Sequence, residues 1–131
     1  MSFHIPAVLT YKLEQYLKQL VSEVPGLTGA LCSSVDGFVM AEHQVQQPDK
    51  MAAMTSSMMG LVMAMGKSLK SGTGQYAWVE FEEHKLLMMT LEGTPHPVYV
   101  LAIGRSDALM GTMLWRMRQV CQDIGSMLQH L

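Results

Sequence analysis

The stretch from Met51 to Gly66, MAAMTSSMMGLVMAMG, has no charged residue and holds six of the chain's 14 methionines. Something must cover so much apolar surface, and what covers it constrains the fold more than any other feature. As a helix the stretch rises only about 24 Å, short of the roughly 30 Å hydrocarbon core of a bilayer. Thr55, Ser56 and Ser57 also interrupt its middle, so membrane insertion is not expected. A soft-metal site needs thioethers converging with other soft ligands, and here they are spread around the helix. At 100° per residue, three sectors separate. Met51, Met54, Met58, Leu61, Val62, Met65 and Leu69 share an arc of about 100°, the width of a core-facing stripe. Ala53, Ser57, Gly60 and Ala64 form a narrow sector of small side chains that lets another backbone come close. Ala52, Met59 and Met63 lie on a third side, with Lys70 beside them and Lys67 further round. One sheet covers one sector, so the other two are surplus for a monomer.

The flanking sequence supplies that sheet. From Ala7 to Val24, Val8, Leu9, Leu13, Tyr16, Leu17, Leu20 and Val21 recur at three- and four-residue steps, predicting an amphipathic helix that Pro25-Gly26 stops. TGALCSS and FVMAEH, joined by Val35-Asp36-Gly37, predict a hairpin, because Asp-Gly is a strong turn signal. Asp49 is placed to cap the methionine helix near Lys50, and the Ser71–Gly74 segment ends it. Three further strands follow, QYAWVEFEE, KLLMMTLEG and PVYVLAIG, the last apolar on both faces as for a strand covered on both sides. Ser106-Asp107 can cap a last helix through Leu109, Leu114, Met117, Val120, Cys121, Ile124 and Leu128. The expected fold class is α/β (α+β), a five-stranded antiparallel sheet with helices on both faces, in one domain over residues 1–131.

Composition removes several function classes. With 49% hydrophobic and 15% charged residues, a net charge of -2 and a pI near 6.2, the chain has no electrostatic footprint for nucleic acid. Low charge with high apolar content instead suggests a surface covered by another subunit. The N-terminus lacks a signal-peptide pattern, and Cys32 and Cys121 read as reduced, buried thiols, so a cytoplasmic location is expected.

Motifs that carry chemistry are weak. Gly66-Lys67-Ser68 resembles the end of a phosphate-binding loop, but the glycine required five residues earlier is replaced by Leu61. His4, His43, His84, His96 and His130 show no paired ligand spacing and read as surface residues. Glu80, Glu82 and Glu83 alternate with Val79 and Phe81, as on the wet side of a strand. No catalytic residue, metal site or cofactor is expected.

Pro25-Gly26, Gly29-Ala30, the turn at Asp36-Gly37 and the following helix rich in small residues and methionine resemble the roadblock/dynein light-chain domain family. The similarity runs from about Val8 to Leu128 and rests on turns and packing. It implies a profilin-like roadblock fold that homodimerises, with third strands paired across a two-fold and second helices side by side. On that basis Tyr76, Trp78, Glu80 and Glu82 belong to the dimer edge, and Ala53, Ser57, Gly60 and Ala64 to the helix–helix contact. Met59, Met63, Lys67 and Lys70 then remain as the surface for a partner. The resemblance further implies a non-catalytic module that binds and regulates or scaffolds a Ras-like small GTPase, bacterial relatives being regulators of gliding-polarity GTPases. Arg105, Arg116 and Arg118 read as solvated, so any stimulation of hydrolysis is expected to work by repositioning the GTPase's own groups. The alternatives are an assembly subunit without a GTPase partner and a small-molecule sensor with a pocket between helix and sheet.

Overall fold

In helix α1 (Ala7–Glu23), Leu13, Leu17 and Leu20 turn to one side and are fully buried. The computed structural model, which describes residues 6–91, 93–95 and 97–129, leads from this helix into the sheet through Gly26. That residue has φ +92°, a left-handed backbone that glycine adopts without strain. A Cβ there would also stand 2.9 Å from the Cβ of Ala108. Strands β1 (Leu27–Ser34) and β2 (Val39–His43) form the expected hairpin. Its turn is closed by the Gly37 amide donating to Ser34 O, with Gly37 at φ +89°.

Helix α2 (Pro48–Ser68) is followed by β3 (Tyr76–Glu80), β4 (His84–Leu91), β5 (Val98–Arg105) and α3 (Met110–Leu128). The sheet has the order β2-β1-β5-β4-β3, every neighbouring pair antiparallel. Strands β1 and β5 lie in the interior and are buried along nearly their whole length. Alternation sorts their side chains between two cores. Ala30, Cys32, Val100 and Ala102 face α1 and α3, where Met113, Met117, Val120 and Ile124 complete a large core. Leu31, Tyr99 and Leu101 face α2 in a smaller one.

Two helix starts differ from the sequence reading. Helix α2 begins at Pro48, after Gln47 in the left-handed region, and Asp49 sits in the first turn without capping it. Proline fits that first position because its missing N–H has no partner to lose, and a carboxylate in the first turn suits the helix dipole. Helix α3 begins at Met110 behind Leu109, while Ser106 and Asp107 stay in the preceding turn and Asp107 accepts from Arg105. Leu109, expected in the core, is exposed.

The larger correction concerns which side of α2 is inside. Ala52, Thr55 and Met59 are its buried residues, with Met59 fully inaccessible. Of the stripe expected to face the core, Met51 and Val62 are half-buried against it, while Met54, Met58, Leu61, Met65 and Leu69 are exposed. The helix is rotated by about one residue step, roughly 100°, from its expected setting. A small Ala52 and the compact Thr55 let α2 sit close on the sheet, and Met59 fills the one deep position between them. Methionines on two adjoining sides, Met54, Met58 and Met65 on one and Met59 and Met63 on the next, left the core-facing side ambiguous.

Candidate protein–protein interface

The exposed stripe of α2 runs along Met54, Met58, Leu61, Met65 and Leu69, at steps of three and four residues. Leu61 and Met65 are each 63% accessible, so these are not core residues grazing the surface. Beside the stripe lies a groove of about 430 Å³ between α2 and the outer strands, walled by Met51, Met54, Met58, Val79, Phe81 and Leu86. Phe81, just beyond the end of β3, adds another exposed ring. A continuous apolar surface of this kind is unusual for a monomer and marks an interaction site.

The groove borders the unpaired edge of β3. Its two faces differ in chemistry: Ala77 and Val79 pack toward α2, and Tyr76 and Trp78 toward the α1–α3 core. The Arg118 guanidinium lies 5.8 Å from the centroid of the Tyr76 ring, a cation–π contact. The Trp78 Nε1–H donates to Glu80 Oε1 at 2.9 Å. Glu80 and Glu82 are exposed. Arg105 pairs with Asp107 at 3.3 Å and Arg116 pairs with Glu23, so among the described residues Arg118 is the arginine without a carboxylate partner. The Glu23 carboxyl is held below its ordinary range by the Gln19 amide and by Arg116, against a smaller opposing effect of burial.

The residues proposed from sequence do not converge on one surface. Tyr76, Trp78 and Glu80 do line the sheet edge, whereas Glu82 lies past the end of β3 in the turn to β4. Ala53, Ser57, Gly60 and Ala64 are all exposed, but they lie on the other side of α2 from that edge. The hairpin tip marks that side: Gly37 comes against Ala53, and Ser56 donates to Val35 O. Met59 is at the centre of the α2 core and Met63 is half-buried against it, which corrects their expected place on an open partner surface. The cause is the rotated helix phase. Lys67 and Lys70 are exposed as expected. What the sequence reading missed is the Met54–Met58–Leu61–Met65 stripe as an outer surface, and only its adjacency to Phe81 and the β3 edge reveals it.

Among the described residues no three histidine, cysteine or acidic groups gather into a metal site. His43 lies on β2 and His84 at the start of β4, while His4, His96 and His130 fall outside the described residues. Both cysteines are buried. Among the described residues no helix is long and apolar enough to cross a membrane.

A Roadblock/LC7 domain from Streptomyces avermitilis superposes with a TM-score of 0.81 at 22% identity, covering 88% of this chain and 96% of that one. Myxococcus xanthus MglB superposes with a TM-score of 0.86 at 10% identity, covering 99% and 96%. The gliding protein MglB of Thermus thermophilus gives 0.85 at 15% identity, covering 99% and 98%. Profilin IB of Acanthamoeba castellanii matches at a TM-score of 0.60 and 9% identity over 88% of this chain and 98% of that one, which ties the architecture to the profilin-like folds. No curated protein sequence matches the chain. The sequence profile of the Roadblock/LC7 domain matches residues 13–105, and with it the chain belongs to the Roadblock/LC7 domain family.

Proposed function

We propose that the chain is a non-catalytic, homodimeric module that binds a Ras-like small GTPase and regulates or scaffolds it. The observation that carries the reading is the apolar α2 stripe running beside the unpaired β3 edge. Two copies joined edge to edge through β3, with both α2 helices on one face of a continuous sheet, would cover Met54, Met58, Leu61, Met65 and Phe81. The structural likeness to the MglB proteins supports the GTPase-related role. In this arrangement the small-residue sector, Ala53, Ser57, Gly60 and Ala64, with Lys67 beside it, stays open and becomes the surface offered to the GTPase. That moves the small-residue sector from dimer contact to partner surface, and gives the dimer contact to the stripe that was expected in the core.

The test is a pull-down from native lysate, followed by GTP hydrolysis by any recovered GTPase with and without the chain. Recovery of a Ras-like GTPase with altered turnover or altered localisation of its complex supports the proposal. Recovery of other assembly subunits without a GTPase would favour a purely structural role. The apolar groove gives the sensor reading its one specific support, and a small apolar molecule retained in native mass spectrometry would favour it instead.

A further inference from the structure

We infer that the dimer is set in one register, with the two-fold axis passing through Trp78, and that Arg118 of each copy is paired with Glu80 of the partner subunit. The inference rests on the edge-to-edge dimer proposed above and adds the residues that fix it.

The Thr90 amide donates to Gln75 O, and the Phe81 amide donates to His84 O. Residues 75 and 81 therefore direct their backbone polar groups toward β4, as do Ala77 and Val79 between them, paired with Met88 and Leu86. Tyr76, Trp78 and Glu80 consequently turn their N–H and C=O groups outward, away from the sheet. These are the groups a second strand must satisfy.

Symmetry then limits the choices. Directly opposed residues in an antiparallel pair place their side chains on the same face. With α2 of both copies on one face, a residue of even number must oppose another of even number, so the axis must pass through a residue and not between two. An axis at Trp78 opposes Tyr76 to Glu80 of the partner subunit and Trp78 to its own copy, pairing every outward residue of β3. An axis at Ala77 sends Glu80 against Gly74, beyond the strand. An axis at Val79 sends Tyr76 against Glu82, also beyond it. The Trp78 register is the one that uses the strand from end to end.

Charge agrees with this register. Among the described residues Arg118 has no carboxylate partner within its own chain, and it is already held beside Tyr76. Glu80 of the partner subunit would be the residue directly across from that Tyr76. Its Oε1 accepts from Trp78, which leaves the other carboxylate oxygen for the guanidinium. The pair occurs twice by symmetry, flanking the two tryptophans on the α1–α3 face.

Charge reversal and crosslinking test this with the full chain. Arg118→Glu and Glu80→Arg should each weaken the dimer by about tenfold in sedimentation equilibrium, and the double variant should recover most of the loss. Glu82→Arg should change it less than about threefold. Independently, Trp78→Cys should crosslink on mild oxidation, since opposed Cα atoms about 5.5 Å apart suit a disulfide. Ala77→Cys and Val79→Cys should not. A monomeric wild-type chain would overturn the dimer itself. A dimer in which the double reversal gives no recovery, or which crosslinks through position 77 or 79 or through none, would leave the dimer standing and overturn the register.

Discussion

At the scale of single residues, two glycines of α2 show how much depends on which way the helix faces. A Cβ on Gly60 would meet nothing within 4 Å, whereas one on Gly66 would stand 2.5 Å from the carbonyl oxygen of Gly72. Alanine is the better helix former by about 1 kcal/mol. Gly60→Ala should therefore raise stability by up to about 1 kcal/mol, visible as a higher thermal midpoint. The same change at Gly66 pushes against backbone that cannot rotate away, and should cost about 1–3 kcal/mol. The cysteines make a pH-dependent case. Burial raises the Cys32 thiol strongly, with the neighbouring Cys121 adding to it, and burial pushes Cys121 up to about 12. Both folded-state values lie above the ordinary value of 9.0, so the stabilisation is fully present below about pH 9 and is lost as the pH rises above it. Denaturant midpoints should fall as the pH is taken from about 8 to about 10, and an aromatic disulfide reagent at about pH 8 should label neither thiol until the chain is unfolded.

Among the elements, strands and turns could be read far better than the rotation of α2. Pro25-Gly26 and Asp36-Gly37 fix chain reversals through backbone geometry alone, and both glycines adopt the positive φ that their turns need. Leu13, Leu17 and Leu20 have only one plausible inside, because charged residues occupy the other faces of α1. Helix α2 offers no such contrast between its faces. Its apolar sum pointed to Met54, Met58 and Met65, but contact with the sheet selects by size, and Ala52 and Thr55 win by being small. In the proposed dimer a second copy, absent from a single sequence, gives the exposed stripe its purpose. The difference is testable by substitution on each side. Met58→Asp or Leu61→Asp should weaken the proposed dimer by on the order of a hundredfold while leaving the far-ultraviolet circular dichroism unchanged. Ser57→Asp, on the small-residue side, should leave the dimer intact and reduce capture of a GTPase. If Ser57→Asp splits the dimer and Leu61→Asp does not, the small sector is the contact after all.

For the molecule as a whole, the same surfaces link assembly to stability. The α1–α3 side carries the larger core, closed by Met113, Met117, Ile124 and Leu128. The α2 side carries a smaller one and leaves a row of large apolar side chains in water. A fold built in this unequal way would gain from the proposed association, in which a second copy covers what the thinner layer leaves open. The proposed dimer forms from the folded state and not the unfolded one, so it would raise the apparent stability by mass action. The thermal midpoint should accordingly climb by several degrees as protein concentration rises from about 1 to about 100 µM. Leu61→Asp should flatten that dependence, because its folded state has no partner to recruit. The comparison separates two origins of weakness that a single melting curve confuses. A variant damaged in its own core melts lower at every concentration but keeps the slope, as expected for Gly66→Ala. One damaged at the interface loses the slope itself. A wild-type midpoint independent of concentration over that range would mean that the exposed stripe of α2 is not covered by a second copy.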